Sequence, residues 1–64
     1  MQQLLFKASH FNEAMLQQWI VEVYQEYELI DYGGIIEKQT KSSVRINGIY
    51  YMKESCQFIK RNYT

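Results

Sequence analysis

The stretch His10–Tyr27, HFNEAMLQQWIVEVYQEY, constrains this chain more than any other. Phe11, Met15, Trp19, Val23 and Tyr27 succeed one another at i+4, with Leu16, Ile20 and Tyr24 running beside them. On a helical wheel this is an apolar stripe two side chains wide. The opposite side collects Asn12, Glu13, Gln17, Gln18, Glu22, Gln25 and Glu26, with Val21 its one apolar member. The spacing predicts an amphipathic helix, and such a helix needs a flat apolar surface to lie on. Two N-caps are open: Ser9, or Asn12 with Phe11 and Leu16 as a hydrophobic staple and Glu13 in the first turn.

The rest of the chain reads as strands that would supply that surface. Gln2–Lys7 reads as a first strand, with Leu4 and Phe6 on one side and Gln3, Leu5 and Lys7 on the other. In ELIDYGGIIEKQ the β-formers Ile30, Tyr32, Ile35 and Ile36 flank Gly33-Gly34, which predicts a strand with a bulge or sharp bend. A hairpin turn at the glycines is the alternative. The clearest local signal is Asn47-Gly48 between SSVRI and IYYMK, since a two-residue type I′ turn needs positive φ at both central positions. That turn fixes a register with Ile46 opposite Ile49, Arg45 opposite Tyr50, and Val44 opposite Tyr51. Val44, Ile46, Ile49 and Tyr51 share a fully apolar face that belongs under the helix. Ser43, Arg45, Tyr50 and Met52 share the other.

The tail ESCQFIKRNYT alternates as a strand at Cys56, Phe58 and Lys60, but Cys56 and Ile59 also fit one helical turn. The short helical turn, packing Phe58 against the sheet edge, is the preferred reading. The expected fold is therefore α+β: one amphipathic helix on a small, mostly antiparallel sheet, in the order β-α-β-β-β, forming a single domain over 1–64.

Sixty-four residues make a small domain whose core is marginal without disulfides, metal or association. One cysteine excludes an intrachain disulfide, and one His with one Cys cannot build a structural zinc site. No apolar stretch approaches the ~20 residues of a membrane span. MQQLLFKASHF lacks the features of a signal peptide, and with a free thiol the expected setting is the reducing cytoplasm.

Chemistry finds little to stand on. CxxC, HExxH and the phosphate-binding glycine spacings are missing, so no metal or cofactor is expected. A nucleophilic site would need His10, Cys56 and Asp31 to converge, and their spacing does not require it. Glu22 and Glu26 stand one helical turn apart but fall on what looks like a solvated face. No catalytic residues are assigned, and no enzyme is expected.

Surfaces are more informative. Residues 1–34 hold five acids and one base, whereas residues 35–64 hold six bases and two acids. Opposite halves could simply attract each other in the fold. A basic footprint for nucleic acid or an acidic protein is the functional alternative. Ten aromatics are many for this length. Trp19, Phe11, Phe6 and Tyr51 have core assignments, but Tyr50 must point to the other face of its strand. With Arg45, Met52, Leu5 and one of Ile35 or Ile36, it forms a mixed patch of the kind found in interfaces.

VRINGIYYMKESCQFIKR resembles the wing hairpin and closing helix of small phage excisionase-type winged-helix proteins, which implies DNA binding. The upstream chain departs from that family where a helix-turn-helix should stand. In size and layout the chain also looks like the small inhibitors encoded by phages and mobile elements, which sit on a larger enzyme or complex. The expectation is a non-catalytic protein docking onto a larger protein or complex. Arg45, Tyr50 and Met52 make the contact, and Lys38, Lys41 and Lys53 steer it. Glu13, Glu22 and Glu26 on the helix are a second candidate surface. The alternative is nucleic-acid binding through Arg45, Tyr50, Lys53, Lys60 and Arg61. A homo-oligomer is a further possibility.

Overall fold

The computed structural model describes residues 3–61. Seven elements run in order: β1 (Gln3–Leu5), α1 (Ala8–Gln17), β2 (Ile20–Gln25), β3 (Glu28–Gln39), β4 (Ser43–Ile46), β5 (Ile49–Met52) and β6 (Gln57–Lys60). One helix packs on a six-stranded antiparallel sheet of spatial order β1-β6-β2-β3-β4-β5, the α+β class expected. Gln2 of the expected first strand, and the end of the tail, lie outside the described residues.

The helix is much shorter than predicted. It starts at Ala8, with Lys7 rather than Ser9 or Asn12 at the N-cap. His10 Nδ1 accepts the backbone N–H groups of Phe6 (3.1 Å) and Lys7 (3.2 Å) there. It ends at Gln17 because Gln18 turns left-handed (φ 55°), with Trp19 N–H bonding back to Ala14 O at 3.0 Å. The next segment, IVEVYQ, is rich in β-branched and aromatic side chains that pack better on a pleated surface than on a helix. Val21, which breaks the helical polar face, is fully buried, as is Val23. Tyr27, the end of the predicted stripe, is fully exposed.

A turn that carries no glycine or asparagine joins β2 to β3. Gln25 pairs with Glu28, and the two turn residues Glu26 and Tyr27 sit at φ 51° and 66°. That is the backbone of a type I′ turn, built from residues that adopt it at a cost of roughly 1–2 kcal/mol each.

The tail also departs from the preferred helical turn. Residues 57–60 form a strand inserted between β1 and β2, with Leu4 opposite Ile59, Leu5 opposite Phe58 and Phe58 opposite Val23. β1 and β2 therefore run parallel, one strand apart, with α1 as their crossover. Phe58 is buried and meets Phe11 of the helix edge-on at 5.4 Å between ring centroids. Leu5, Val23, Val44 and Ile46 complete the floor. In β1 it is Leu5 that faces the core. Phe6 lies outside it, two-thirds exposed and edge-on to His10.

The glycine bend is as expected. β3 pairs with β2 up to Ile35 and with β4 from Ile36, changing neighbours just after Gly33-Gly34, where the ladder to β2 slips. Gly33 has φ 129°, and a Cβ there would stand 2.8 Å from Ile20 Cγ2. The Asn47-Gly48 hairpin has the predicted register throughout.

The winged-helix resemblance ends at this hairpin. Among the described residues there is one helix, the place of a helix-turn-helix is taken by α1 and β2, and the expected closing helix is β6.

Replacing the strained turn by Glu26→Asn with Tyr27→Gly should raise unfolding stability by about 1–2 kcal/mol in a denaturant titration. Phe58→Ala should lower it by about 3–5 kcal/mol, because it empties the contact between helix and sheet.

Candidate functional site

Arg45 and Tyr50 face each other across the β4–β5 ladder, with the guanidinium carbon 5.6 Å from the ring centroid. Alternation puts both on the side away from the core residues Val44 and Ile46. Arg45 Nε also pairs with Glu37 Oε1 at 3.1 Å, and the same oxygen accepts Gly48 N–H. Tyr50 and Met52 are each about half exposed. The three residues selected from the hairpin register therefore form one surface.

The same sheet face carries further apolar side chains beyond the hairpin. The pairs Leu4–Ile59, Tyr24–Leu29 and Ile20–Ile35 alternate onto the same helix-free face, and Leu4, Leu29 and Ile35 are about half exposed. Leu5, assigned to this patch from sequence, is in the core, and Leu4 takes its place.

The lysines are not equivalently placed, although Lys41 and Lys53 line one shallow cleft with Met52. Lys38 is exposed on β3, opposite Arg45, and Lys41 is exposed on the β3–β4 connection. Lys53 turns toward the helix: its Nζ donates to Gln39 Oε1 (2.8 Å) and lies 4.8 Å from the Phe11 centroid. Burial there lowers its pKa below the ordinary lysine value. These contacts tie its ammonium to Gln39 and to the helix. Gln39 continues that anchor by donating to Asn12 Oδ1 at 2.6 Å.

The other basic residues are similarly engaged. Arg61 Nε bonds Glu22 Oε2 at 2.9 Å, and its Nη2 donates to the Tyr32 carbonyl. Lys60 Nζ sits 4.1 Å from the Trp19 ring centroid. The expected nucleic-acid set Arg45, Tyr50, Lys53, Lys60 and Arg61 is thus divided among separate intramolecular contacts. The Arg61–Glu22 pair also joins the basic and acidic halves of the chain.

Glu13, Glu22 and Glu26 do not share a helix face. Glu13 is on α1, where it accepts from Gln17 at 2.9 Å. Glu22 is buried in β2, and Glu26 is in the β2–β3 turn. The predicted helix that would have aligned them stops at Gln17.

A groove that the sequence did not reveal lies at the β2–β3 end of the sheet. Tyr24, Glu26, Tyr27, Ser55, Gln57 and Ile59 line about 580 Å³. Tyr24 OH donates to Glu22 Oε1 at 3.1 Å, and that bond raises the Tyr24 pKa above its ordinary value. No sequence signal could show the groove, because it depends on β6 lying beside β2.

His10, Cys56 and Asp31 serve separate purposes. His10 holds the helix start, and Cys56 is buried in the core. Asp31 is buried and accepts three bonds: Gly33 N–H (3.0 Å), Asn47 Nδ2 (2.9 Å) and Tyr51 OH (2.8 Å). This carboxylate ties the glycine bend to the turn and second strand of the hairpin. A Cβ on Gly34 would stand 2.7 Å from Asn47 Oδ1, so the glycine keeps space for the asparagine that reaches Asp31. Among the described residues no three His, Cys, Asp or Glu side chains gather as a metal site, and no helix is long and apolar enough to cross a membrane.

No family model matches the chain, and no curated protein or solved structure matches it.

Burial, together with the bond to Asp31, pushes the Tyr51 phenol up to about 12. In the unfolded chain that proton leaves near pH ~10. The folded state retains it over the interval between, so stability should fall as pH rises from about 10 to about 12. Tyr24 acts in the same sense, and Lys53, with its lowered pKa, in the opposite one. Comparing denaturant midpoints with those of Tyr51→Phe across that range isolates the phenol: the variant should show the shallower alkaline decline.

Proposed function

We propose that this protein is a small non-catalytic binding protein that docks onto a larger protein or complex through the helix-free face of its sheet, as an inhibitor or adaptor. One observation carries the reading. Tyr50, Met52, Ile35, Leu29 and Leu4 are all about half exposed on the face opposite the helix, with Arg45 held over Tyr50 by Glu37. Large half-exposed apolar side chains on one sheet face, with an arginine held over Tyr50 at one end, have the make-up of an interface. Arg45 is already oriented by its ion pair, so less side-chain freedom is lost on docking.

Nucleic-acid binding draws less support. A phosphate-tracking surface needs several unpartnered cations along one path. Arg45, Lys53, Lys60 and Arg61 each have an intramolecular partner, which leaves Lys38 and Lys41 beside the patch.

The test is a tagged pull-down from host-cell lysate with nuclease-treated and untreated arms. One protein or complex should be retained in both. Tyr50→Ala and Arg45→Ala should each weaken retention by about tenfold or more, while the circular dichroism spectrum stays unchanged. Retention that disappears in the treated arm would transfer the function to nucleic acid. Retention unaffected by either substitution would move the docking site elsewhere.

A further inference from the structure

The groove beside Tyr24 lies on the helix-free side of the sheet. Tyr24 and Gln57 are cross-strand partners, and Ile59 follows Gln57 on the same side of β6. Ile59 and the two tyrosines make the groove mainly apolar, and Glu26 is the one carboxylate in its lining. Among the described residues no lysine or arginine lines the groove, and Glu26 is in no ion pair. Tyr24 donates its hydroxyl proton to Glu22, which leaves the phenol oxygen free to accept. Tyr27 is fully exposed, so its ring contributes nothing to the core.

The backbone singles out the same place. Glu26 and Tyr27 hold φ at 51° and 66° in a turn that Asn-Gly would make without strain. Strained residues of this kind cluster at ligand-binding sites. Asparagine and glycine at these positions would remove the carboxylate and one of the two aromatic rings from the groove.

We propose that the groove takes a basic side chain, lysine or arginine, of the protein onto which this chain docks. The proposal rests on the docking reading and names what the partner must present on that face. Charge complementarity selects the occupant. The unpaired Glu26 carboxylate repels an acidic side chain, and tyrosine rings attract a cation over their faces. An apolar side chain would cover the carboxylate and leave it without a partner. The alkyl stem of a lysine or arginine instead lies on Ile59 while its charged head meets Glu26 and the Tyr24 oxygen.

Nuclear magnetic resonance titration of the isotope-labelled chain with short capped peptides tests this. The probes are acetyl-Gly-Lys-Gly-amide, its arginine counterpart, and a norleucine control that keeps the alkyl stem and lacks the charge. At least one basic peptide should move the amide signals of Tyr24, Glu26, Tyr27, Gln57 and Ile59, with a Kd of about 1–10 mM. The norleucine peptide should bind several-fold more weakly. Glu26→Gln should weaken the basic peptide by about three- to fivefold, as expected for an exposed ion pair. Glu26→Asn with Tyr27→Gly keeps the turn, raises stability, and should abolish the localised shifts, so its loss of binding cannot come from unfolding. The proposal is overturned if neither basic peptide moves these signals, if norleucine binds as tightly, or if either variant binds like the parent. Failure here leaves the docking reading to the Tyr50 and Arg45 pull-down, which these titrations do not touch.

Discussion

Phe58 stands where the last strand, the helix and the first two strands meet. Its ring is edge-on to Phe11, and its neighbours across the ladders are Leu5 on one side and Val23 on the other. β6 is therefore the shared hydrogen-bonded neighbour that holds β1 and β2 in one sheet. It also forms the part of the floor on which the helix rests. In a chain this short few apolar contacts are available, so the fold depends on closing its most distant pairing. Phe58 provides the burial that offsets the entropy of that closure.

Asp31 makes the second closure. Its three donors come from the β3 bend, the Asn47 turn and Tyr51 on β5, so one buried carboxylate joins the two parts of the sheet. A buried charge without a counter-ion is tolerable when its oxygens are well supplied with donors, as here. The same economy of groups shapes the surface. Cations that could have formed a basic footprint instead lie against Glu22, Glu37, Trp19 and Phe11. What the helix-free face leaves exposed is largely apolar, with Lys38 and Lys41 on its border.

Each departure of the structure from sequence expectation has a local cause. From Trp19 to Tyr24 the apolar residues fit both a helical and a strand period. Val21 on the supposed polar face was the one residue that discriminated. The Glu26–Tyr27 turn could not be found by its chemistry, since neither residue favours positive φ. It exists because β2 and β3 gain more by pairing than the two strained residues lose. For the tail, the alternation of Cys56, Phe58 and Lys60 was the correct signal, but alternation does not say which strands lie on either side. That Arg45, Tyr50 and Met52 share one sheet face was legible because a type I′ hairpin dictates its own register. Lys53 and the acidic trio were not, since their surroundings depend on elements distant in sequence.

Determined by sequence alone were the α+β class, the existence of a helix beginning near residue 10, the bend at Gly33-Gly34 and the complete register of the Asn47-Gly48 hairpin. All are settled by φ preferences and side-chain alternation over a few neighbouring residues. Tertiary structure decided where the helix stops, that β6 enters between β1 and β2, which cations are engaged, and that a groove forms beside Tyr24. Those outcomes are set by competition for the same apolar surface between segments as far apart as Leu5 and Phe58. Local propensity carries no record of that competition.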